Sequence, residues 1–212
     1  MPVPPSALLK PRKTPRQARS SATVDAIFEA TIQVLLVDGQ TKLTTTRVAE
    51  RAGVSVGTLY QYFPDKKSLL YAMLQQRLDG VPQAMEIAAD QLAGNTLTVI
   101  SDGLVSAWLA AKTRDIATSR ALYAVAADLE IANLLNKGST RIRAAIERVL
   151  ISARDATFEN APSVADILVA ILGGTVRSVI EGGAGPNLLA TLRAELPLLC
   201  RAYLSVKARS VA

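Results

Sequence analysis

The segment from residue 55 to residue 66 carries side chains whose types and spacing suit hydrogen bonding to an extended polar partner. It reads Ser-Val-Gly-Thr-Leu-Tyr-Gln-Tyr-Phe-Pro-Asp-Lys. In a helix, Leu59 and Phe63 lie one turn apart on the apolar side. Hydroxyl and amide groups on the other side can bind phosphate oxygens and polar base edges. The residues roughly opposite the apolar pair are Gly57, Thr58 and Gln61, with Ser55, Val56 and Tyr62 toward the flanks.

The composition argues against covalent catalysis and metal binding. Histidine is absent from all 212 residues, which removes the commonest general base and the commonest zinc ligand. Cys200 is the single cysteine, so we expect an inert buried thiol in a reducing cytoplasm rather than a disulfide or a zinc cluster. No Gly-rich phosphate loop or paired-carboxylate motif is found. We therefore expect no enzymatic activity, cofactor or metal, and a small helical enzyme is a remote alternative.

Excess positive charge is concentrated in the first third of the chain. Residues 1–74 contain ten Lys/Arg and five Asp/Glu, whereas residues 75–212 contain fourteen and thirteen. This asymmetry predicts a polyanionic partner for the first third, either nucleic acid or an acidic membrane surface. Residues 1–19 are rich in proline and basic residues, which predicts a mobile arm. That arm could hold DNA or be a solvated tail.

Four helices are expected to position the polar segment. The first has its cap within Ser20–Thr23 and ends at Asp38-Gly39. A short second helix follows a Thr44 cap and stops at Gly53, a third runs from a Ser55 cap to Pro64, and Asp65 caps a fourth. Two short helices joined by a tight turn match a helix-turn-helix, whose second helix enters the major groove of DNA.

Beyond residue 80 every readable segment has helical periodicity, and none shows the two-residue alternation of strands. We therefore predict an all-α fold. The longest apolar stretch, Val164–Ile180, is interrupted by Asp166 and Arg177, which favours a buried helix over a membrane span. Neither a secretory signal nor a membrane association is expected. The predicted helix breaks are Gly80-Val81-Pro82, Gly94-Asn95, Lys137-Gly138, Asn160-Ala161-Pro162 and Gly182–Pro186.

The sequence LTTTRVAERAGVSVGTLYQYFPDKKSLL at residues 43–70, after AIFEATIQVLLVDG at residues 26–39, strongly resembles the DNA-binding region of the tetracycline-repressor (TetR) family of transcriptional regulators. The resemblance covers roughly fifty residues. It implies an N-terminal three-helix DNA-binding domain and a larger C-terminal helical domain that dimerises and binds a small molecule. We accordingly divide the chain into the arm 1–19, a DNA-binding domain 20–75 and an effector-binding and dimerisation domain 76–212.

The resemblance also implies roles for individual residues. Thr44 is the helix cap and meets the DNA backbone, and Arg47 and Arg51 could touch DNA or only solvate the second helix. Lys67 stands where family members often carry an acid, which makes the start of the fourth helix more basic. Phosphate contacts are expected from Thr45, Thr46, Tyr60, Tyr62 and Lys66, and base reading from Ser55, Val56, Gly57, Thr58 and Gln61.

Two long apolar helices, Ser163–Glu181 and Asn187–Lys207, offer more apolar face than one small domain needs to cover. A pair from each subunit would form a four-helix interface about a two-fold axis, although one helix could equally be intramolecular core. The candidate interface residues are Ile167, Ile171, Gly174, Leu192, Leu196 and Leu199.

Bulky side chains in the C-terminal part are candidates to line an apolar effector pocket, although each is more often simple core. Without histidine, an apolar or amphipathic effector would be held by apolar contacts, hydroxyls, amides, arginine or carboxylates. The candidates are Met73, Leu104, Trp108 and Tyr123.

The leading prediction is a cytoplasmic homodimer that binds double-stranded operator DNA, most simply a repressor released from a pseudo-palindromic site by a small-molecule effector. The alternative from another class is a membrane- or anion-surface protein that binds through its basic arm.

Overall fold

A computed structural model of the chain describes residues 18–210, except residues 128, 130 and 184. The predicted arm, residues 1–19, therefore lies almost entirely outside the described residues. Within them the chain forms nine α-helices and one small β-ribbon, so the all-α class is correct. The helices are α1 (Ala18–Asp38), α2 (Thr45–Ala52), α3 (Val56–Tyr62), α4 (Lys66–Leu92), α5 (Leu97–Thr113), α6 (Ile116–Ala127), α7 (Ala132–Ile151), α8 (Ala161–Glu181) and α9 (Pro186–Lys207).

Two compact units divide the helices between them. The N-terminal unit extends to Arg77 and also takes in Ala117–Ala132, which includes nearly all of α6. The second unit comprises Leu78–Ile116 and Asn133–Ala212. Helix α4 therefore contributes its first part to the N-terminal unit and its remainder to the second.

In the N-terminal unit, α1 forms the support on which the two short helices pack. Five residues at helical spacing along α1 are buried, and the Phe28 ring lies 5.5 Å from the Phe63 ring, centroid to centroid. The hydroxyl of Thr31 donates to the carbonyl of Ile27 at 2.7 Å, which satisfies the one polar group on this buried face. These α1 residues are Val24, Ile27, Phe28, Thr31 and Leu35.

The ends of the short helices follow the predicted capping residues. Thr44 Oγ1 accepts from the amide of Arg47 at 3.3 Å, and Ser55 Oγ accepts from the amide of Thr58 at 2.9 Å. Gly53 closes α2 with φ 68°, a left-handed conformation that costs a residue with a Cβ substantially more. Local side-chain chemistry thus fixes the geometry of the turn between the short helices.

The predicted cap of α1 within Ser20–Thr23 is wrong, because the helix already includes Ala18. A serine or threonine hydroxyl can satisfy a first-turn amide only where the chain is not yet helical. Ala18 and Arg19 are good helix formers and carry the helix upstream of those hydroxyls.

Two predicted breaks are also wrong, because α4 continues through Gly80-Val81-Pro82 and α7 through Lys137-Gly138. Contacts between α4 and α7 keep both helices continuous at these positions. Ion pairs join α4 to α7 on both sides of Pro82: Arg141 contacts Asp79 at 2.8 Å and Glu86 at 2.7 Å. A Cβ at Gly138 would sit 3.5 Å from Pro82 Cγ, so the two helix breakers face each other across the packed pair.

One short antiparallel ribbon was not predicted. Strand β1 (Ala156–Phe158) pairs with β2 (Ala208–Ser210), with Ala156 opposite Ser210 and Phe158 opposite Ala208. An ion pair of 2.6 Å between Arg209 and Glu159 lies beside it. Three-residue strands are too short to produce a periodic signal, which explains why the sequence indicated only helices.

The remaining predicted breaks are confirmed. Asn160 caps α8 by accepting from the amide of Ser163 at 3.0 Å, and α9 begins at Pro186 after the Gly-rich turn. Gly94 ends the α4 region with φ 75°, and Thr96 and Asp155 satisfy amides at the start of α5.

Helix α8 buries one face, which includes Val164, Leu168 and Leu172, whereas its other face exposes polar residues together with Ile167. The predicted buried helix over Val164–Ile180 is therefore buried on one side only. Length and composition alone would let two helices cross a membrane, Ser20–Asp38 and Ala161–Glu181. Core helices satisfy the same criterion, and both of these helices pack apolar residues against the chain itself. In α9, Cys200 is fully buried, and burial raises the pKa of its thiol to about 11.

Candidate nucleic-acid interface

Helix α3 is held by one face and accessible on the other. Leu59 and Phe63 are buried, and they anchor α3 in the core of the N-terminal unit. On the opposite side Gly57 and Gln61 are exposed, and Thr58 is half-exposed. The outward face of α3 is therefore small, polar and free of bulky groups.

The start of α3 is a fixed array of hydroxyl groups. Ser55 Oγ accepts from the amide of Thr58 and also lies 2.8 Å from Thr58 Oγ1. Each hydroxyl has capacity beyond this contact, since a hydroxyl carries one donor and two acceptor lone pairs. The pair is thus preorganised to present remaining lone pairs or a proton to an external polar edge.

A second hydroxyl pair joins α2 to α3. Thr45 Oγ1 lies 3.1 Å from Tyr60 Oη, and Tyr60 as a residue is 42% exposed. Thr44 and Thr46 beside it are also exposed. This brings the predicted phosphate-contact groups of two helices to one place at the first turn of α2.

The first turn of α4 carries two neighbouring lysines. Lys66 and Lys67 are both exposed there, and no acidic residue occupies that turn. The positive end of the helix dipole disfavours cations at this position, so stability does not account for the pair. Asp65 and Ser68 form a reciprocal cap, with Ser68 N donating to Asp65 Oδ1 at 2.7 Å and Asp65 N donating to Ser68 Oγ at 3.2 Å. The two exposed ammonium groups suit an anion such as phosphate.

Tyr62 and the two arginines of α2 have contacts within the chain. Tyr62 is half-buried, with its ring 6.3 Å from that of Phe63. Arg47 pairs with Asp38 at 3.0 Å, and Arg51 Nε donates to Gln33 Oε1 at 2.8 Å. Both arginine side chains therefore connect α2 to α1.

The four predicted pocket residues fall in different units. Met73 is fully buried and Tyr123 is half-buried in the N-terminal unit. Leu104 and Trp108 are buried on α5 in the second unit. Sequence reasoning missed Ser101 on the same buried face of α5. A serine within an apolar helix carries no sequence signal that would have singled it out.

An open apolar groove of about 500 Å³ runs between α8 and α9. Of the predicted interface residues, Ile167 and Leu199 are each 48% exposed, whereas Leu192 and Leu196 are mostly buried within the chain. Ile171 is half-buried and Gly174 is exposed. The groove is lined by Thr175, Leu192, Glu195, Leu196, Leu198, Leu199 and Ala202.

Two family models match the chain in succession. Residues 27–73 match the model described as bacterial regulatory proteins, tetR family. Residues 96–204, just over half of the chain, match the model described as tetracyclin repressor-like, C-terminal domain. The first match contains α2 and α3 with their turn, and the second contains α5 to α9 almost entirely.

Curated relatives align with part of the chain. The HTH-type transcriptional repressor KstR of Mycolicibacterium smegmatis is 40% identical over 70 residues, which is 33% of each chain. The HTH-type transcriptional regulator BetI of Escherichia coli is 29% identical over 110 residues, 45% of this chain and 56% of BetI. The chain thus spans about a third to about half the length of these relatives.

Solved structures extend the likeness to the whole fold. A TetR-family transcriptional regulator of Mesorhizobium loti superposes with a TM-score of 0.72 at 17% identity, covering 90% of this chain and 98% of that one. SmeT, the repressor of a Stenotrophomonas maltophilia multidrug efflux pump, gives a TM-score of 0.66 at 17% identity, covering 89% and 93%. At these identities the likeness concerns the fold alone.

Proposed function

We propose a function for this chain on the basis that it belongs to the tetracycline-repressor family of bacterial regulatory proteins. The proposed function is that of a homodimeric, sequence-specific DNA-binding repressor that a small molecule releases from its operator. The family is one of transcriptional regulators rather than enzymes. The proposed place of action is the cytoplasm, where operator DNA is available. We retain residues 20–75 as the DNA-binding domain and residues 76–212 as the effector-binding and dimerisation domain.

The outward face of α3 carries this proposal. A helix that reads base edges must approach the major groove closely, and Gly57 and the half-exposed Val56 offer little bulk to prevent it. Gln61 can form paired hydrogen bonds with adenine, and Thr58 can bond a base or touch a thymine methyl. Ser55 and Thr58 hold each other at 2.8 Å, so these groups need little ordering on binding.

Phosphate contacts are assigned to the groups flanking that face. The paired hydroxyls of Thr45 and Tyr60 and the ammonium of Lys66 suit phosphate oxygens. Thr44, Thr46 and Tyr62 complete the same surface. The two exposed lysines at the start of α4 explain how part of the positive charge in the first third would be used.

Dimerisation through α8 and α9 would set the distance between two copies of α3. A pseudo-palindromic site needs recognition helices about 34–36 Å apart to enter successive major grooves. An effector that binds one spacing of the dimer better than another would shift the population and release DNA. The interface residues assigned are Ile167, Ile171, Gly174, Leu192, Leu196 and Leu199. The effector residues assigned in the second unit are Leu104 and Trp108.

A mobility-shift assay against the DNA upstream of its own coding sequence tests the proposal. Gln61→Ala is expected to relax base preference, costing about 1–3 kcal/mol on the preferred site, and Lys66→Gln to weaken binding to all sequences while reducing the salt slope by about 1. Lys137→Gln makes the same charge change at an exposed position of α7 and is the control. Binding without sequence preference or salt dependence would reject the proposal.

A further inference from the structure

Helix α5 carries a buried stripe that combines polar and apolar groups. Ser101, Leu104 and Trp108 recur at intervals of three and four residues, so they share one side of the helix. They are 1%, 0% and 4% exposed, respectively. A serine and a tryptophan seven residues apart place two polar atoms about 10 Å apart along the helix axis.

Both polar atoms lack a hydrogen-bond partner among the described residues. Ser101 Oγ and Trp108 Nε1 are each inaccessible to solvent and unpaired. Burying such groups unpaired is costly, and most buried polar side chains in folded proteins are satisfied. An indole N–H can only donate, so the partner that satisfies Trp108 must supply an acceptor.

The charges around the stripe disfavour a cationic partner. The ammonium of Lys112, one turn beyond Trp108, lies 5.5 Å from the centre of the indole ring. Burial lowers the pKa of Lys112, and the positive charge of Arg177 on α8 lowers it further. The neighbouring carboxylate, Asp102, also has a buried oxygen without a hydrogen bond, Oδ1. Arg201 Nε lies 3.0 Å from that oxygen, so the charge of Asp102 is already balanced by an arginine of α9.

We propose that Ser101 Oγ and Trp108 Nε1 form a donor pair that binds oxygen acceptors of the effector, and that the effector is an apolar molecule carrying carbonyl or carboxylate oxygens rather than an organic cation. The proposal rests on the proposed ligand-responsive function and specifies the chemistry of its ligand. Leu104 between the two donors supplies the apolar contact for the body of the molecule. Ser101 thereby becomes a specificity-determining residue that the sequence alone did not single out.

Trp108 is the only tryptophan in the chain, so its fluorescence reports on this site without DNA or a label. Three eight-carbon probes are titrated against the full-length protein: octanoate, methyl octanoate and octyltrimethylammonium. Saturable changes in emission are expected with octanoate, methyl octanoate or both, and the ammonium probe should bind at least tenfold more weakly. Tighter binding of octanoate than of the ester would identify a carboxylate ligand, and the reverse would identify a neutral carbonyl.

Ser101→Ala is expected to lower the affinity for the oxygen-bearing probe by about three- to tenfold, because one hydrogen bond is lost. Ser106→Ala is the matched control, because Ser106 is exposed on the same helix. Thermal melts of both variants verify folding. Equal affinities of the two variants, tight binding of the ammonium probe, or no saturable change with any probe would each overturn the donor pair.

The titration separates this inference from the proposed function. A protein that responds to the oxygen-bearing probes but binds no operator would contradict the repressor function and leave the donor pair intact. A protein that binds its operator but fails the fluorescence test would contradict the donor pair alone.

Discussion

Gly57 sits on the outward face of α3, where nothing in the chain requires a glycine. An added Cβ would meet only Ser55 Oγ, at 3.7 Å, an ordinary contact distance. Gly57 also lies outside the left-handed backbone region, unlike Gly53. The absence of a side chain therefore lowers helix stability without an internal benefit, which points to close approach by an external partner.

Gly57→Ala is expected to raise the free energy of unfolding by about 0.5–1 kcal/mol, because alanine restricts the unfolded chain and favours a helix. The same methyl group should weaken operator binding by keeping α3 away from the base edges. Chemical denaturation and a mobility-shift titration measure the two effects. Gly80→Ala in α4, also without internal contacts, is the control that should be stabilised while its DNA affinity stays unchanged. An undiminished affinity in Gly57→Ala would contradict the close approach.

Residue roles that depend on local chemistry could be predicted from the sequence. Thr44, Ser55 and Asp65 cap helices because their oxygens reach amides three residues away. The partners of Arg47 and Arg51 could not be predicted, since Asp38 and Gln33 approach them only when α1 packs on α2. Ser101 was missed for the opposite reason: a serine within an apolar helix is unremarkable until its hydroxyl is found buried and unpaired.

At the scale of elements, glycine and proline predicted breaks correctly only where no neighbouring helix opposed them. Gly53 and Gly94 end elements with positive φ. Pro82 and Gly138 do not, because α4 and α7 are held together by charged side chains along their length. A proline in a helix interior costs about 3 kcal/mol, an amount that several tertiary contacts can offset.

Arg141 is the centre of the series of ion pairs between α4 and α7, which we call the α4–α7 ladder. Its Nε and Nη2 donate to the two carboxylate oxygens of Glu86 at 2.8 and 2.7 Å, and Nη1 donates to Asp79 at 2.8 Å. Arg148 continues the ladder to Asp90 at 2.8 Å. The hydrogen bond from Arg141 lowers the pKa of Glu86 and raises that of Arg141 itself.

Arg141→Gln is expected to destabilise the protein at neutral pH, and the difference from wild type should shrink in acid. The folded pKa of Glu86 lies below its ordinary value of 4.5, so the stabilisation is present above that value and is lost as the pH falls through the folded pKa. Urea denaturation at pH 7 and below pH 4.5 measures the change. Arg154→Gln, the same charge change at an exposed site, should show no such pH dependence. A constant difference between wild type and Arg141→Gln would contradict the ladder.

At the scale of the whole molecule, α8 and α9 expose apolar side chains and a glycine that a single chain does not cover. Leu198 and Leu199 are about half exposed beside the groove. Gly174 is exposed in the middle of α8, and nothing lies within 4 Å of where its Cβ would be. A glycine there weakens the helix unless another backbone approaches it closely. The second copy required by the proposed dimer would supply that backbone.

Leu199→Glu is expected to convert the proposed dimer to monomers at micromolar concentration. The change removes about 1.5–3 kcal/mol of apolar burial per subunit and places a second carboxylate beside Glu195 in the groove. Sedimentation equilibrium measures the association. Ile151→Glu, at an exposed apolar site at the end of α7, is the matched control and should remain dimeric. Dimers of unchanged affinity in Leu199→Glu would place the interface elsewhere.

The all-α class and the helix-turn-helix could be predicted because both depend on local periodicity and capping. The grouping of Ala117–Ala132 with the N-terminal unit could not, since its sequence neighbours on both sides belong to the other unit. No pattern within those residues specifies which unit their apolar side chains join. Packing across a long separation in the chain decides it.

The ribbon of β1 and β2 makes the order of synthesis matter. Ala156–Phe158 emerges from the ribosome about fifty residues before Ala208–Ser210, so β1 exposes an unpaired edge while α8 and α9 are being made. Because α8 and α9 connect the strands, pairing also joins the end of α9 to the start of α8. The ribbon, and with it the link between the end of α9 and the start of α8, therefore forms only after β2 has been translated.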